Sequence, residues 1–189
     1  DGANRITDAG LAALAPYRVD NAVIMAAGMS SRFAPLSYEK PKALLKVKGE
    51  VLIEREIRQL QAAGIDDITV VVGYMKEKLF YLEDRFHVKI VINEDYHRYN
   101  NPSTLMLVRD RLKNTFICSS DNYFEQNPFE PYVYQAYYAS LYSAGKTDEY
   151  CMVTNRKGRI TGVQVGGSDA WYMFGHVYFD RSFSEKFTQ

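Results

Sequence analysis

Short apolar runs alternate with helical periods over residues 21–120 of the chain. The apolar runs predict four strands, at 23–27, 68–72, 88–92 and 115–119. Between them, apolar residues recur every three or four positions, which predicts helices at 52–63, 76–86 and 103–112. Strands that alternate with helices are typical of βα units and of a largely parallel sheet.

The pattern changes on either side of this region. A short helix is predicted at 6–15, with Thr7 or Asp8 as its N-cap and Pro16 closing it. The residues after Asp121 predict strands joined by turns, at 137–142, 150–154, 159–165 and 171–179. We therefore predict a three-layer α/β fold, in which a mixed, mostly parallel central sheet is extended by antiparallel strands.

Composition and charge exclude several classes of function. The 189 residues are 47% hydrophobic and 24% charged, which fits one soluble domain with a full core. The 23 basic and 23 acidic residues leave no net charge, which argues against a general binder of nucleic acid or of a membrane surface. The longest apolar runs are too short to span a bilayer. Cys118 and Cys151 lack metal-ligand spacing, which indicates reduced thiols and a cytoplasmic location.

A small, glycine-containing loop follows the first predicted strand. Residues 26–36 read AAGMSSRFAPL, and Lys40-Pro41-Lys42 follows shortly afterwards. Backbone N–H groups of such a loop can point at phosphate oxygens, while Arg32 and Lys42 neutralise the charge. The loop is neither a Walker A motif nor a dinucleotide fingerprint. A solvated surface turn is the alternative, but the prolines that stiffen the loop favour an anion site.

Residues 26–42 resemble the signature of the nucleotidylyltransferases that activate sugar phosphates and phosphocholine. The nearer similarity is to the bacterial CTP:phosphocholine cytidylyltransferases, because further stretches match in order, at 42–44, 73–74, 93–96, 99–101 with 103, and 120–122. This resemblance covers about residues 21–180. It implies a Rossmann-like nucleotidyltransferase fold and the conversion of CTP and phosphocholine to CDP-choline and pyrophosphate.

The resemblance also implies roles for individual residues. Contacts to the base and the triphosphate would come from Ala26, Ala27, Gly28, Met29 and Ser30. Arg32 would hold the β and γ phosphates, and Lys42 would stabilise charge on the α-phosphate. Asn101 would face the nucleotide, whereas Ser103 would cap the following helix. Ser30 stands where many members of the family have a second glycine.

Asp121 follows the fourth predicted strand and should face the same crevice as the loop. On spacing alone, a metal ligand and a structural residue, either a helix N-cap or a turn Asp, are equally good interpretations of this position. The resemblance implies that it is a ligand of Mg²⁺, the expected cofactor. Related enzymes have a second acidic ligand nearer their C-terminus, and this chain offers no convincing candidate. Asp180 fits better as the N-cap of a last helix.

Aromatic residues make up 14% of the chain and are frequent in its second half. A quaternary ammonium group is held by aromatic faces, and Tyr150 beside Glu149 and Trp171 near Asp169 are the candidates for such an acceptor site. Packing between strands is the alternative for each of them. The position of Tyr150 resembles an aromatic residue at the choline site of the family. Other tyrosines could serve in core packing or in a contact between copies of a homo-oligomer.

The chain reads as one domain preceded by a short segment. Residues 1–20 resemble the end of a winged helix-turn-helix domain, which is too short here to bind DNA. Residues 21–189 form the transferase domain, which we expect to continue in a longer parent. Two other functions stay open at this point: a sugar-1-phosphate nucleotidylyltransferase, and a non-catalytic nucleotide-binding or regulatory module.

Overall fold

The structure is a computed structural model that describes residues 5–30, 34–98 and 101–189, without the side chains of 101–103. The described residues form eight strands and five α-helices. The strands are β1 (Asn21–Ala26), β2 (Lys46–Val47), β3 (Glu50–Val51), β4 (Ile68–Val72), β5 (Lys89–Ile92), β6 (Thr115–Ser119), β7 (Tyr137–Thr154) and β8 (Ile160–Phe179). The helices are α1 (Asp8–Leu14), α2 (Leu52–Ala62), α3 (Tyr81–Phe86), α4 (Asn101–Met106) and α5 (Arg181–Phe187).

The main sheet has six strands in the order β5-β4-β1-β6-β8-β7. Strand β1 pairs in parallel with β4 on one side and with β6 on the other, and β5 adds in parallel to β4. A separate antiparallel pair joins β2 and β3. The predicted fold class, a mostly parallel sheet with helices and added strands, is confirmed.

Strand β1 is central because its residues are apolar on both faces. Ala22, Val23 and Ile24 have no exposed surface, and all five residues of β4 are buried. Such continuous apolar runs are typical of parallel strands covered on both sides. Helix α2 places one apolar stripe against this core, formed by Ile53, Ile57 and Leu60.

The chain divides into two compact units. One unit comprises the residues up to 136 together with 178–189, and the other comprises residues 137–177. The second unit is the ribbon of β7 and β8, whose predicted turn at 155–158 is confirmed by a hydrogen bond of 2.9 Å from Gly158 N–H to the Asn155 carbonyl. The four strands predicted for this part are two long strands.

Two helices have other bounds than predicted, and one hairpin was not predicted. Helix 76–86 is split into a 3-10 turn, Lys76–Lys78, and α3, and Met75, directly before the turn, takes a left-handed conformation. Helix 103–112 starts earlier as α4 and ends as a second 3-10 turn, Arg109–Arg111, so that Ser103 lies inside α4 and not at its N-cap. The hairpin of β2 and β3 was not predicted.

The end helices begin where their capping residues predict. The side chain of Thr7 accepts a hydrogen bond from Gly10 N–H at 3.2 Å, and that of Asp180 accepts one from Phe183 N–H at 2.8 Å. Among the described residues, no helix is long and apolar enough to cross a membrane.

Candidate active site

A cleft opens at the carboxyl ends of the parallel strands, in the first unit. The N–H of Ser120 donates to the Met25 carbonyl at 3.4 Å, that of Tyr74 to Ala27 at 3.1 Å, and that of Asn93 to Val72 at 2.8 Å. The cleft is lined by Met25, Ala27, Gly28, Lys42, Tyr96, Thr104 and Ser119. The loop after β1, the residues after β5 and the residues after β6 therefore meet at one edge of the sheet.

An ion pair joins two of the predicted site residues across the cleft. The Nζ of Lys42 donates to Oδ2 of Asp121 at 2.6 Å, although the two residues are 79 positions apart. Both side chains are about one quarter exposed, at 26% and 24%, so a ligand can reach them. Residues 122–136 form no helix, which excludes the alternative that Asp121 is an N-cap.

Pro41 and a short 3-10 turn, Lys42–Leu44, present Lys42 to the cleft. Pro41 is in an extended conformation, and the N–H of Leu45 closes the turn on the Lys42 carbonyl at 3.0 Å. Ala43 is 1% exposed, which anchors the turn in the core. The lysine thus projects from a fixed backbone.

The loop after β1 passes from the core to solvent. Ala26 and Ala27 are buried, whereas Gly28 and Met29 are exposed. Ser30 has a φ of 56°, a left-handed conformation that glycine adopts without strain, which explains why a glycine fits this position in related sequences. Its Oγ donates to the Gly28 carbonyl at 3.4 Å.

Two predicted site residues cannot be placed. Arg32 lies outside the described residues. Asn101 is the first residue of α4, but its side chain is also outside them.

Tyr96 is a cleft residue for which sequence reasoning gave no role. Its ring packs over Gly73, where an added Cβ would lie 2.7 Å from the Tyr96 Cβ and 2.8 Å from the Ala27 carbonyl oxygen. Close approach of β1, β4 and Tyr96 therefore requires a glycine at this point. The motif Gly73-Tyr74 was a visible signal, because a glycine directly after a buried strand often marks such an approach.

A buried polar pair holds the other wall of the cleft. Asn93 is 4% exposed and Thr104 is 5% exposed, and the Asn93 amide donates to the Thr104 hydroxyl at 2.9 Å. The Asn93 side-chain oxygen also accepts from Asp95 N–H at 3.0 Å. These bonds fix the start of the segment that carries Tyr96.

Glu56 on α2 is a second acidic residue close to Asp121 that the sequence analysis missed. It is 2% exposed, and neither carboxyl oxygen has a hydrogen-bond partner among the described residues. Burial raises the pKa of Glu56 well above its usual range, and the negative charge of Asp121 adds a smaller effect in the same direction. The signal was its position on the apolar stripe of α2, three residues after Ile53 and one before Ile57.

The two predicted acceptor residues lie on the ribbon and are exposed, Tyr150 at 57% and Trp171 at 54%. The structure does not bring them together. Trp171 packs edge-on against Tyr142 at 5.4 Å between ring centroids, and Tyr142 lies eight residues before Tyr150 on the same strand. Eight residues of a strand span about 26 Å. A single aromatic cage formed by both residues is therefore not seen, and an acceptor role for either stays a prediction.

The described residues contain no group of three or more His, Cys, Asp or Glu side chains arranged to hold a metal ion. Cys118 and Cys151 are free and buried, and burial raises the pKa of the Cys118 thiol.

Comparison with known proteins identifies the family. The MobA-like NTP transferase domain matches residues 22–160. The chain belongs to this family of nucleotidyltransferases. It is 34% identical to the choline-phosphate cytidylyltransferase of Streptococcus pneumoniae over 87% of this chain and 72% of that protein. It is 37% identical to the 2-aminoethylphosphonate cytidylyltransferase of Lancefieldella rimae over 84% of this chain and 66% of that protein.

The fold is also that of a solved family member. The structure of the CTP:phosphocholine cytidylyltransferase from Streptococcus pneumoniae superposes with a TM-score of 0.84 at 34% identity, over 89% of this chain and 74% of that chain. This chain thus spans about two thirds to three quarters of the length of these NTP transferases.

Gly28 gives a test of the cleft as a nucleotide site. An added Cβ there meets nothing within 4 Å, so packing of the protein does not explain the glycine. We expect Gly28→Ala to leave the free energy of unfolding unchanged or to raise it by about 0.4–1 kcal/mol. The melting temperature should therefore stay the same or rise slightly. The stabilisation by CTP with Mg²⁺ should fall by at least half, because the methyl group occupies phosphate space. Thermal melts with and without CTP measure both effects.

The matched control is Gly73→Ala, which should lower the melting temperature of the free protein because its Cβ collides with Tyr96 and Ala27. An undiminished response of Gly28→Ala to CTP would show that the loop does not approach the phosphates.

Glu56 gives a prediction about pH. Its pKa is higher in the folded protein than the value of about 4.3 expected in the unfolded chain. The folded state therefore binds more protons above that pH, and stability falls as the pH rises through the folded pKa. Glu56→Gln, which copies the neutral acid, should be about as stable as the parent near pH 4.5 and more stable at pH 8. Urea unfolding across this range tests the prediction, and parallel pH curves for the two proteins would contradict it.

Proposed function

We propose that this chain is the transferase part of a cytidylyltransferase that converts CTP and phosphocholine to CDP-choline and pyrophosphate. The observation that carries the proposal is the Lys42–Asp121 pair, a cation and a carboxylate 2.6 Å apart in a cleft beside an exposed glycine loop. A transferase of this kind needs these two groups together, one for the phosphate charge and one for a metal.

The reaction requires positioning more than covalent chemistry. A phosphate oxygen of phosphocholine attacks the α-phosphorus of CTP, a new P–O bond forms, and the bond to the β-phosphate breaks to release pyrophosphate. Lys42 would turn from Asp121 to the α-phosphate and stabilise the charge that develops there. Arg32 would hold the β and γ phosphates of the leaving group. The exposed N–H groups of residues 28–30 would bind the triphosphate, Ala26 and Ala27 would lie near the base, and Asn101 would contact the nucleotide.

Magnesium fits this site as an ion shared with the substrate. Mg²⁺ is commonly bound by one or two carboxylates together with phosphate oxygens, so one accessible carboxylate is enough for such a site. Asp121 offers it, and Glu56, which lacks hydrogen-bond partners among the described residues, lies near it as a buried acid whose raised pKa favours the neutral form. When bound, Mg²⁺ neutralises phosphate charge during transfer.

The acceptor is proposed to be held by an exposed aromatic residue. Tyr150 is 57% exposed and stands next to Glu149, a combination suited to a quaternary ammonium group. Trp171 is kept as a second candidate, although its ring already packs on Tyr142.

One alternative acceptor has support of its own. The Lancefieldella rimae relative, at 37% identity, is a 2-aminoethylphosphonate cytidylyltransferase. Its reaction would use the same cleft with a primary ammonium group, which requires hydrogen-bond acceptors in addition to an aromatic face. A sugar phosphate acceptor would instead require several groups that bind hydroxyls.

Domain division and location remain proposals. We take residues 21–189 as the transferase domain and 1–20 as the end of a preceding helical segment, which in this structure is tied to the domain by bonds of 2.9 Å from the Asn114 amide to the carbonyls of Pro16 and Arg18. The two free cysteines are in keeping with a cytoplasmic enzyme. A homo-oligomer is an open expectation.

Turnover with defined substrates tests the function. We expect pyrophosphate release from CTP with phosphocholine to exceed that with 2-aminoethylphosphonate, or that from UTP with glucose-1-phosphate. Lys42→Met and Asp121→Asn should each lower kcat by about 10²–10³-fold, because each removes charge that acts on the phosphates. Circular dichroism and thermal melts check that the variants are folded. Faster turnover with 2-aminoethylphosphonate or glucose-1-phosphate would show that phosphocholine is not the preferred acceptor. An unchanged kcat in the variants would show that these residues do not act in the mechanism.

Tyr150→Ala tests the acceptor site. Loss of one cation–π contact of about 0.5–2 kcal/mol should lower kcat/KM for phosphocholine by about 2–30-fold and leave the KM for CTP unchanged. Tyr134→Ala is the control, since Tyr134 is 74% exposed and packs on Tyr17 of the N-terminal segment. If the two variants had the same kinetics with phosphocholine, Tyr150 would have no role in binding the acceptor.

A further inference from the structure

Asp121 is followed by a segment with little secondary structure of its own. Residues 122–131 form neither helix nor strand, so no ladder of backbone hydrogen bonds holds them in place. The carboxylate at the start of this segment is therefore fixed from one side by the end of β6 and from the other by side chains that reach the segment from elsewhere.

Helix α2 supplies such side chains. The Nε and Nη2 of Arg55 donate to the Phe124 carbonyl at 3.0 and 2.8 Å, and Nη2 also donates to the Glu125 carbonyl at 2.9 Å. Its guanidinium lies 4.9 Å from the centre of the Tyr123 ring and forms an ion pair with Glu50. The side chain is 19% exposed, which makes these bonds stronger than bonds in open solvent.

Gln59, one turn further along α2, continues the same contact. Its side-chain amide donates to the backbone carbonyls of Phe124 at 3.2 Å and Gln126 at 3.4 Å. Its backbone carbonyl accepts a hydrogen bond from the side-chain amide of Asn127 at 2.8 Å. Three successive carbonyls, at 124, 125 and 126, are thus held by two side chains of one rigid helix.

We propose that Arg55 is a positioning residue for the transferase site: by holding the backbone of residues 124 and 125, it sets the place of Asp121 against Lys42. This inference rests on the proposed function. Among the described residues, Arg55 forms no hydrogen bond or ion pair with Asp121 and does not line the cleft, so it acts through the backbone that follows Asp121. Transfer by positioned charges is sensitive to shifts of about 1 Å, which can cost about 10²-fold in rate.

The residue type supports this role. A lysine presents one compact cation, whereas the planar guanidinium of arginine can bond two carbonyls and a carboxylate and also stack on a ring. At position 55 all of these contacts are made at once, to Phe124, Glu125, Glu50 and Tyr123. An arginine needed only for solubility or for an ion pair with Glu50 would not require them.

Arg55→Met tests the inference, because it keeps an apolar stem of similar length and removes every donor. Arg58→Met is the matched control: Arg58 lies on the same helix, pairs with Glu50 and Glu54, and makes no hydrogen bond to residues 122–127. We measure kcat, the KM for CTP and the half-saturating Mg²⁺ concentration of each protein 15 °C below its own melting temperature. We expect Arg55→Met to lower kcat at least tenfold and to raise half-saturating Mg²⁺ at least threefold, and Arg58→Met to stay within twofold of the parent.

Two further variants test whether the effect comes from the hydrogen bonds of Arg55. Arg55→Lys, which keeps the charge but has a single donor nitrogen in place of the planar guanidinium, should recover part of the lost kcat. Gln59→Leu removes two of the carbonyl bonds without changing charge, and should shift kcat and the Mg²⁺ requirement in the same direction by a smaller factor. If Arg55→Met does not fold, the comparison of Gln59→Leu with Arg58→Met decides the inference.

Amide hydrogen exchange of the ligand-free protein gives a readout that does not depend on turnover. Residues 122–127 should exchange at least tenfold faster in Arg55→Met than in the parent or in Arg58→Met. Unchanged exchange there, or a lowered melting temperature with unchanged kcat and Mg²⁺ requirement, would overturn the inference. A parent protein that makes no CDP-choline would instead contradict the proposed function, and the exchange comparison would still decide the role of Arg55.

Discussion

The parallel pairing of β1 with both β4 and β6 is the constraint on which the rest of this structure depends. It buries five of the six residues of β1 and requires three neighbouring strands to end at the same edge of the sheet. The residues that follow those strands, Gly28, Gly73 and Asp121, are brought to this edge although they are far apart in sequence. Lys42 then reaches the edge from a 3-10 turn anchored by Ala43. The cleft is a consequence of the sheet, as in other open α/β folds.

The charged groups of the cleft are held by the fold and do little to stabilise it. A partly exposed ion pair such as Lys42–Asp121 contributes on the order of 1 kcal/mol or less to unfolding free energy. Its 2.6 Å geometry must therefore come from surrounding structure, which on one side is the turn after Pro41 and on the other is the segment held by Arg55 and Gln59. Glu56, on the same helix as Arg55 and Gln59, is a buried acid whose raised pKa favours the neutral form. Such pairs of acids in different environments are frequent at functional sites.

Much of the first unit could be predicted from the sequence, because its strands are buried and therefore uniformly apolar. The predicted strands 23–27, 68–72, 88–92 and 115–119 differ from β1, β4, β5 and β6 by at most two residues at either end. Helix α2 was equally visible from its apolar stripe. Gly28 and Asp121 could be singled out as site residues because parallel strands predict where their loops meet. The ion pair between Lys42 and Asp121 could not be predicted, since no pattern joins positions 79 apart.

The ribbon was predicted less well, and its residues show why. Gly145 and Gly166 look like turn residues, and both take positive φ angles, but they are irregularities inside two continuous strands. The N–H of Gly145 is held by the Asp169 carboxylate at 2.9 Å, a contact across the ribbon that propensity alone cannot reveal. The role of Arg55 was hidden for a related reason. Its partners are backbone carbonyls about 70 residues away, which leave no mark on the local pattern.

We propose that this cleft binds a cytidine nucleotide linked to choline, with Lys42 on its phosphates. The most direct measurement is the thermal shift that CDP-choline produces with Mg²⁺ present, compared with CDP and UDP-glucose. At 100 times its dissociation constant a ligand stabilises by about 2.7 kcal/mol, which is roughly 5–11 °C for a chain of this size. The account predicts such a shift with CDP-choline, a smaller one with CDP, and loss of most of it in Lys42→Met. A larger shift with UDP-glucose, or none with CDP-choline, would contradict it.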